Sequence, residues 1–562
     1  MASTQSIPLA PLGGLRTRTA GGTHSSNERN LSHDVNENEE DDFYETLAMP
    51  PVSRGQQASV LVAAFLAIAL SIGYNQCYGV FLEYYLSDKQ NVLLLPTAPG
   101  SSSSASSTAS SSASSTASGQ PSPALLAFVG TLGAGLTWAG SIFVNQWLSR
   151  VEYAAQSSAS QHATRATASG SGQPLLWRLL ALTRHKFTAS PRSITLSGVA
   201  LMGLGFLLAS FATQVWHLLL TQGLLYGLGS SMLYFPLLGP APEYFSRHRA
   251  TAMGLILSGG GVGSLVLSPV VRALLSAVGG RWTLRALAAL YVAAGAPVAW
   301  AVPPSRFPVS VARRRTQNAD AEMEREQRSA TDAVVARRRT HVSSALLMTP
   351  AFLMSVATAF CQSAGAQLPL TFIPSYSVTL GLSAGTGATL LAVANVVNAV
   401  ARVVTGYAGD RFGRLNTMTI CLAGAAIAVG ALWGMSVKTA PDSSDSGSAL
   451  SSPASQLWLA FIVLYSVAAG GYYALFPATI ADVFGIRSYV AVNGFIYFVR
   501  GCGTMLGSPV GGVLLSSGAG GSSSSSYSSV VAWDGALLVS SAVCALGVRW
   551  ADATRRGWLW RA

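Results

Sequence analysis

Arg402 lies in the middle of an apolar run, 385–408, that is long enough to cross a bilayer as a helix. A charge at the centre of such a helix costs about 2.5–3.5 kcal/mol on insertion scales, so it faces an aqueous cavity or a partner. Its guanidinium is a planar fork of donors that matches a carboxylate bidentately. Asn395 and Asn398 precede it at helical spacing, so the three side chains share one face. One reading is an anion ligand with amide neighbours. The other is a gate or a packing ion pair with an acidic group of an adjacent helix. Arg500 opens the glycine-rich part of a later apolar run, where a second cation serves substrate binding or gating, or glycine serves close packing alone. Two cavity arginines would favour a dicarboxylate or an acid with a second polar end.

Other polar groups recur in apolar surroundings. Asn75, Gln76 and Tyr78 lie in the first apolar run, and Tyr472 and Tyr473 follow the pair Gly470-Gly471. These shape a cavity or make interhelical hydrogen bonds and packing contacts. Arg272 and Arg285, toward the ends of their runs, read as snorkelling to the interface. No carboxylate is expected deep in a run, because Glu83, Glu243 and Asp482 lie near run ends.

Several chemistries are excluded. Gly259, Gly260, Gly261 and Gly263 have no phosphate-loop Lys and sit in an apolar run, so they admit close helix approach rather than a nucleotide. None of the seven histidines is deep in a run, and no His–Cys cluster offers a metal site. No nucleophile motif stands in a strand–turn–helix context. Neither enzyme activity nor a cofactor is expected. The five cysteines fall in apolar stretches and read as small buried hydrophobes.

The elements that must hold these residues are helices in a bilayer. Of 562 residues, 50% are hydrophobic and only 10% charged, and mean hydropathy is +0.40. Soluble domains carry roughly 25% charged residues, so a soluble multidomain protein is excluded. Twelve spans are expected: 57–82, 124–148, 193–213, 216–240, 252–278, 283–303, 345–373, 385–408, 416–436, 457–481, 490–516 and 532–551. Pro369 and Pro374 predict a broken or kinked exit from the seventh.

The division is a disordered acidic tail, 1–54; a first half, 55–303, with low-complexity inserts near 97–121 and 149–192; a basic linker, 304–343; a second half, 344–551; and a tail, 552–562. With the N-terminus in the cytosol, 28 of the 35 Lys and Arg fall in cytosolic segments, counting Arg549 at the cytosolic end of the last span. Only Lys89, Arg281 and Lys438 are external, and four lie in spans. This positive-inside bias puts both termini in the cytosol. It also removes nucleic acid as the meaning of the +12 net charge. The Ser/Thr-rich external insert favours the plasma membrane, with a vacuolar or other internal membrane as the alternative.

There is an internal repeat. The fourth span reads Gly229-Ser-Ser-Met-Leu-Tyr-Phe235-Pro236 and the tenth Gly470-Gly-Tyr-Tyr-Ala-Leu-Phe476-Pro477. The glycines of the fifth span recur in the eleventh as Gly501, Gly503 and Gly507. Two six-helix halves joined by a long linker are the layout of a transporter built from repeats.

The stretch Asn398-Ala-Val-Ala-Arg402-Val-Val-Thr-Gly-Tyr-Ala-Gly-Asp410-Arg411-Phe-Gly413-Arg414 resembles the loop signature of the major facilitator superfamily. Tyr78-Gly-Val-Phe81, Tyr244-Phe245-Ser-Arg-His-Arg249 and Arg281-Trp-Thr-Leu-Arg285 make the whole similar to its monocarboxylate-porter branch, especially the fungal members. The resemblance spans about 57–303 and 345–550. It implies an all-α, twelve-helix major facilitator fold and alternating-access transport of small organic anions, secondary active or facilitated. It also implies a conformational role for Asp410, Arg411 and Arg414. The implied partners are a small organic acid, protons and the lipid bilayer; an accessory subunit stays open.

Three positions depart from the animal members. Asn398 replaces an Asp, about Gln76 replaces a Lys, and Arg500 stands where an acidic residue is frequent. Uniport, efflux down the anion gradient and proton coupling through the substrate itself therefore stay open. So do riboflavin or another neutral metabolite as substrate, and a non-transporting nutrient sensor.

Overall fold

The computed structural model describes residues 52–87, 90–93, 123–151, 190–245, 248–303, 342, 344–440, 452–517 and 526–557. The expected tail 1–54 falls almost wholly outside them, as do 97–121, most of 149–192 and nearly all of 304–343.

Among the described residues, ten helical segments are long and apolar enough to cross a membrane. One of them, Arg249–Trp300, is two spans joined at Gly279, whose φ of 75° and ψ of 172° no helix contains. A Cβ at Gly279 would lie 2.5 Å from Asn91 Nδ2, so both the backbone angle and the contact call for glycine. Pro350–Thr379 completes the twelve; Gln362, Ser363 and Gln367 dilute its hydropathy.

In chain order the spans are α1 Arg54–Leu86, α2 Leu125–Val151, α3 Pro191–Ala209, α4 Val215–Tyr244, α5 249–278, α6 280–300, α7 Pro350–Thr379, α8 Ala384–Phe412, α9 Arg414–Lys438, α10 Pro453–Phe484, α11 Ile486–Ser517 and α12 Ser526–Arg556. The α7 helix runs on through Pro369 and Pro374 rather than ending there.

Local chemistry sets the starts. Ser190, Thr349 and Ser452 accept backbone N–H bonds as N-caps of α3, α7 and α10, and each is followed by a proline at the first helical position. Gly413 (φ 102°) and Gly485 (φ 77°) make the abrupt turns into α9 and α11.

The two halves have matching cores. In the first, Tyr74 of α1 packs 4.8 Å from Phe206 of α3 and 4.6 Å from Tyr226 of α4. The Tyr226 and Tyr291 hydroxyls donate to the carbonyls of Ser71 at 2.7 Å and Leu70 at 2.9 Å. In the second half, Tyr376 of α7 packs 4.6 Å from Trp458 of α10 and 4.9 Å from Tyr527 of α12. Trp433 of α9 completes this core, 5.7 Å from Trp458. Spans one, three, four and six of each half thus supply its aromatic core.

The remaining spans form the seam between halves, with α5 against α8 and α2 against α11. Glycine permits the approach, since a Cβ at Gly261 of α5 would lie 2.7 Å from Cβ of Ala399 of α8. The Ser141 hydroxyl of α2 donates to the Gly494 carbonyl of α11 at 2.6 Å, and Asn145 Nδ2 to that of Val490 at 3.3 Å. Both contacts lie toward the end of the bundle where α1 starts. That end carries Arg54, Arg249, Arg411 and Arg414, and is called here the basic end.

Candidate functional site

Arg402 and Arg500 enter the seam from α8 and α11 and are 4% and 3% exposed. Arg402 Nε donates to Asn398 Oδ1 at 2.9 Å, one turn earlier on the same face. Its Nη1 donates across the seam to the Leu257 carbonyl of α5. Asn398 is fixed in turn, its Nδ2 donating to the Ser466 carbonyl of α10 at 3.1 Å. The Arg402 guanidinium carbon stands 5.0 Å from the Tyr473 ring centroid.

Arg500 sits in an aromatic cage. Its guanidinium carbon is 4.5 Å from the Trp138 centroid, 4.8 Å from Tyr473, 5.3 Å from Tyr497, 5.8 Å from Tyr472 and 5.9 Å from Phe476. Desolvated cation–π contacts are worth about 2 kcal/mol or more, so the cage holds the charge without neutralising it. Arg500 Nε and the Tyr472 hydroxyl are buried and have no hydrogen-bond partner among the described residues. Neither arginine forms an ion pair with a described carboxylate.

Five of the expected residues therefore converge: Arg402, Asn398, Arg500, Tyr472 and Tyr473. Asn395 is half-buried on the same face of α8, and its carbonyl lies 3.2 Å from where a Cβ at Gly261 would stand. The α1 residues have other contacts. Asn75 Nδ2 donates to Thr137 Oγ1 of α2 at 3.2 Å. The Tyr78 hydroxyl donates to the Leu126 carbonyl at 2.8 Å, tying α1 to α2. Gln76 Oε1 is buried without a hydrogen-bond partner among the described residues.

A second constellation closes the basic end. Asp410 of α8 accepts the backbone N–H of Ala250 at 3.0 Å and of Thr251 at 2.8 Å, and the Thr251 hydroxyl at 2.7 Å. A carboxylate from one half thus caps the N-terminus of α5 in the other. Arg414 Nε donates to Asp410 at 2.9 Å, and Arg414 Nη1 to both Asp482 oxygens at 2.9 Å. Arg249 of the first half donates to Asp482 at 2.8 Å. Arg411 is exposed and stands outside this network.

Trp138 and Asp534 go unmarked in the sequence, while Arg249 and Asp482 stand out there only as motif and span-end residues, without a role. Residue spacing carries no signal for a pair such as Arg249 and Asp482, 233 positions apart. Their places beside the equivalent connections, between spans four and five and between spans ten and eleven, are the available clue. Asp534 corrects the expectation that no carboxylate lies deep in a span. The α12 helix begins at Ser526 rather than near 532, so Asp534 lies two turns inside it, and it is 0% exposed.

A fold of twelve spans in two repeated halves, with a seam lined by α2, α5, α8 and α11, defines a membrane transporter. The family model of the Major Facilitator Superfamily matches residues 127–450, more than half of the chain. The chain belongs to that superfamily: it is a multi-pass membrane transporter and not an enzyme. It is 25% identical to an MFS-type transporter of Gibberella moniliformis over 58% of this chain and 69% of that protein. It is 26% identical to monocarboxylate transporter 12-B of Danio rerio over 64% of this chain and 73% of that one. The fold is similar to the proton:xylose symporter XylE bound to 6-bromo-6-deoxy-D-glucose. There the TM-score is 0.56 and the identity 14%, over 88% of this chain and 95% of that one.

Proposed function

We propose that this transporter carries small organic anions, mono- or dicarboxylates, between its two halves by alternating access. One observation carries the reading: Arg402 and Arg500 are buried, share the Tyr473 ring and have no acidic counter-ion among the described residues. A desolvated guanidinium without a counter-charge is a binding site for one. Asn398 fixes the fork of Arg402, and the cage orients Arg500, so the donors are preorganised before a carboxylate arrives. The likeness to proteins named monocarboxylate transporters supports the same substrate class.

The conformation seen is the one with the basic end closed. Asp410 and Asp482 hold α5 and Arg249 of the opposite half, and release of these bonds lets the halves rock apart. By the positive-inside rule that end faces the cytosol, with both termini, in a plasma-membrane protein.

The test is uptake in proteoliposomes from a labelled panel of monocarboxylates, dicarboxylates and neutral metabolites. Carboxylate uptake that unlabelled carboxylates compete away is the expected result. Uptake of neutral compounds alone, riboflavin included, removes the anion assignment.

A further inference from the structure

Asp534 of α12 is fully buried, and among the described residues neither of its oxygens has a hydrogen-bond partner or an ion-pair partner. An ionised carboxylate so placed is among the costliest groups a membrane protein can hold.

Its surroundings suit the neutral acid. A Cβ at Gly365 of α7 would lie 2.7 Å from Asp534 Oδ1, so glycine makes the room the carboxyl occupies. Pro369 has no N–H, so the Gly365 carbonyl, four residues earlier, loses its intrahelical donor. That freed acceptor lies in the turn of α7 beside Asp534, and a carboxyl group has something to donate to an acceptor only when it is protonated.

The groups packed around it supply no compensating charge. From α10 comes the Tyr465 phenol, which donates to the Ala366 carbonyl at 3.0 Å. On α7, Gln362 Oε1 is buried and has no partner among the described residues one turn from Gly365, Cys361 is a half-buried thiol, and Tyr376 lies against Tyr527. The α9 helix meets α12 here through Val429 and Gly434. In α11, Arg500 is turned to Trp138 and Tyr473. The linkers 441–451 and 518–525, which lead into α10 and α12 in the chain, contain no Lys or Arg.

We propose that Asp534 is the proton-binding site of the transporter: it takes up one proton from the far side in the conformation closed at the basic end and releases it to the basic side in the opposite conformation, coupling transport to the proton gradient. The reaction is a reversible proton transfer: an O–H bond of hydronium breaks as one forms on a carboxylate oxygen, leaving water, and the reverse step returns the proton to water. Helix α7 links the site to transport, because it packs against both α12 and the seam helix α11. The inference rests on the transport reading above, although its first readout needs no substrate.

Difference infrared spectroscopy of the membrane-embedded protein reads the C=O stretch of protonated carboxyl groups. Wild type at neutral pH is expected to show a band that Asp534→Asn removes. In proteoliposomes holding the carboxylate that the panel selects, a tenfold proton gradient should drive accumulation of about tenfold in wild type for one proton per anion. It should drive none in Asp534→Asn, which keeps gradient-independent counterflow. Asp534→Glu, which restores a titratable group, should regain accumulation and also covers a failure of the asparagine variant to fold. Accumulation by Asp534→Asn equal to wild type, or no carboxyl band lost, overturns the proposal. If the panel selects only neutral compounds, the anion reading fails while the infrared test of Asp534 still stands.

Discussion

The guanidinium of Arg500 lies 4.8 Å from the centroid of Tyr473, a ring that also has Arg402 at 5.0 Å. One aromatic side chain therefore holds two buried cations, from α11 and α8, at a single locus in the seam. Their like charges repel, and an anion seated between them relieves the repulsion as well as accepting their hydrogen bonds. The relationship sets the first two predictions.

Replacing Arg500 by Gln removes a charged donor whose hydrogen bonds are worth about 1.5–3 kcal/mol. Carboxylate affinity should fall by about 10- to 100-fold. Arg500→Lys should recover only part, because an ammonium keeps the charge and loses the planar fork. Half-saturation measurements of uptake, normalised to the amount of protein in the membrane, check both.

Tyr473→Phe keeps the ring face and should change substrate affinity by less than about threefold. Tyr473→Ala removes the ring from both arginines at once and forfeits about 0.5–2 kcal/mol of cation–π attraction for each. Its affinity loss should therefore exceed that of any other single tyrosine of the cage. A scan of Tyr472, Tyr473 and Tyr497 to alanine orders them.

Asp482 receives Arg249 from the opposite half and Arg414 from its own. Asp482→Asn should loosen the basic end and shift the population toward the opposite conformation. A cysteine introduced in the seam should then label faster from the basic side. Asp410→Asn should act in the same direction, because it removes the acceptor of the α5 N-terminus. Slower labelling from that side in both variants would show that these bonds do not close the end.

Gly261 and Ala399 meet across the seam with no space for a further carbon. Gly261→Val should disfavour the closed state and raise labelling from the basic side. The companion substitution Ala399→Gly in the same chain should restore part of the closure, which the same labelling assay reads.

Much of this architecture is legible in the residues because a bilayer permits few solutions. Every backbone group must be satisfied within a helix, so apolar run length gives the spans and the repeat gives the halves. Arg402 and Arg500 stand out for the same reason, as charges in runs that should hold none. Contacts between helices are less legible. Trp138 looks like any membrane tryptophan until the fold sets its ring 4.5 Å from the Arg500 guanidinium. Tyr78 looks like a cavity residue until its hydroxyl is found on the Leu126 carbonyl. Asp534 is hidden by a span boundary. An apolar window starts α12 near 532, whereas the helix runs from Ser526 through small and hydroxylated residues that hydropathy discounts.

In the proposed function, Arg402 and Arg500 together bind the carboxylate of the substrate. Counterflow of the panel's labelled carboxylate by Arg402→Gln, in proteoliposomes matched to wild type for protein content, tests it most directly. Loss of counterflow in the variant is the expected result. Wild-type counterflow with unchanged half-saturation would contradict it.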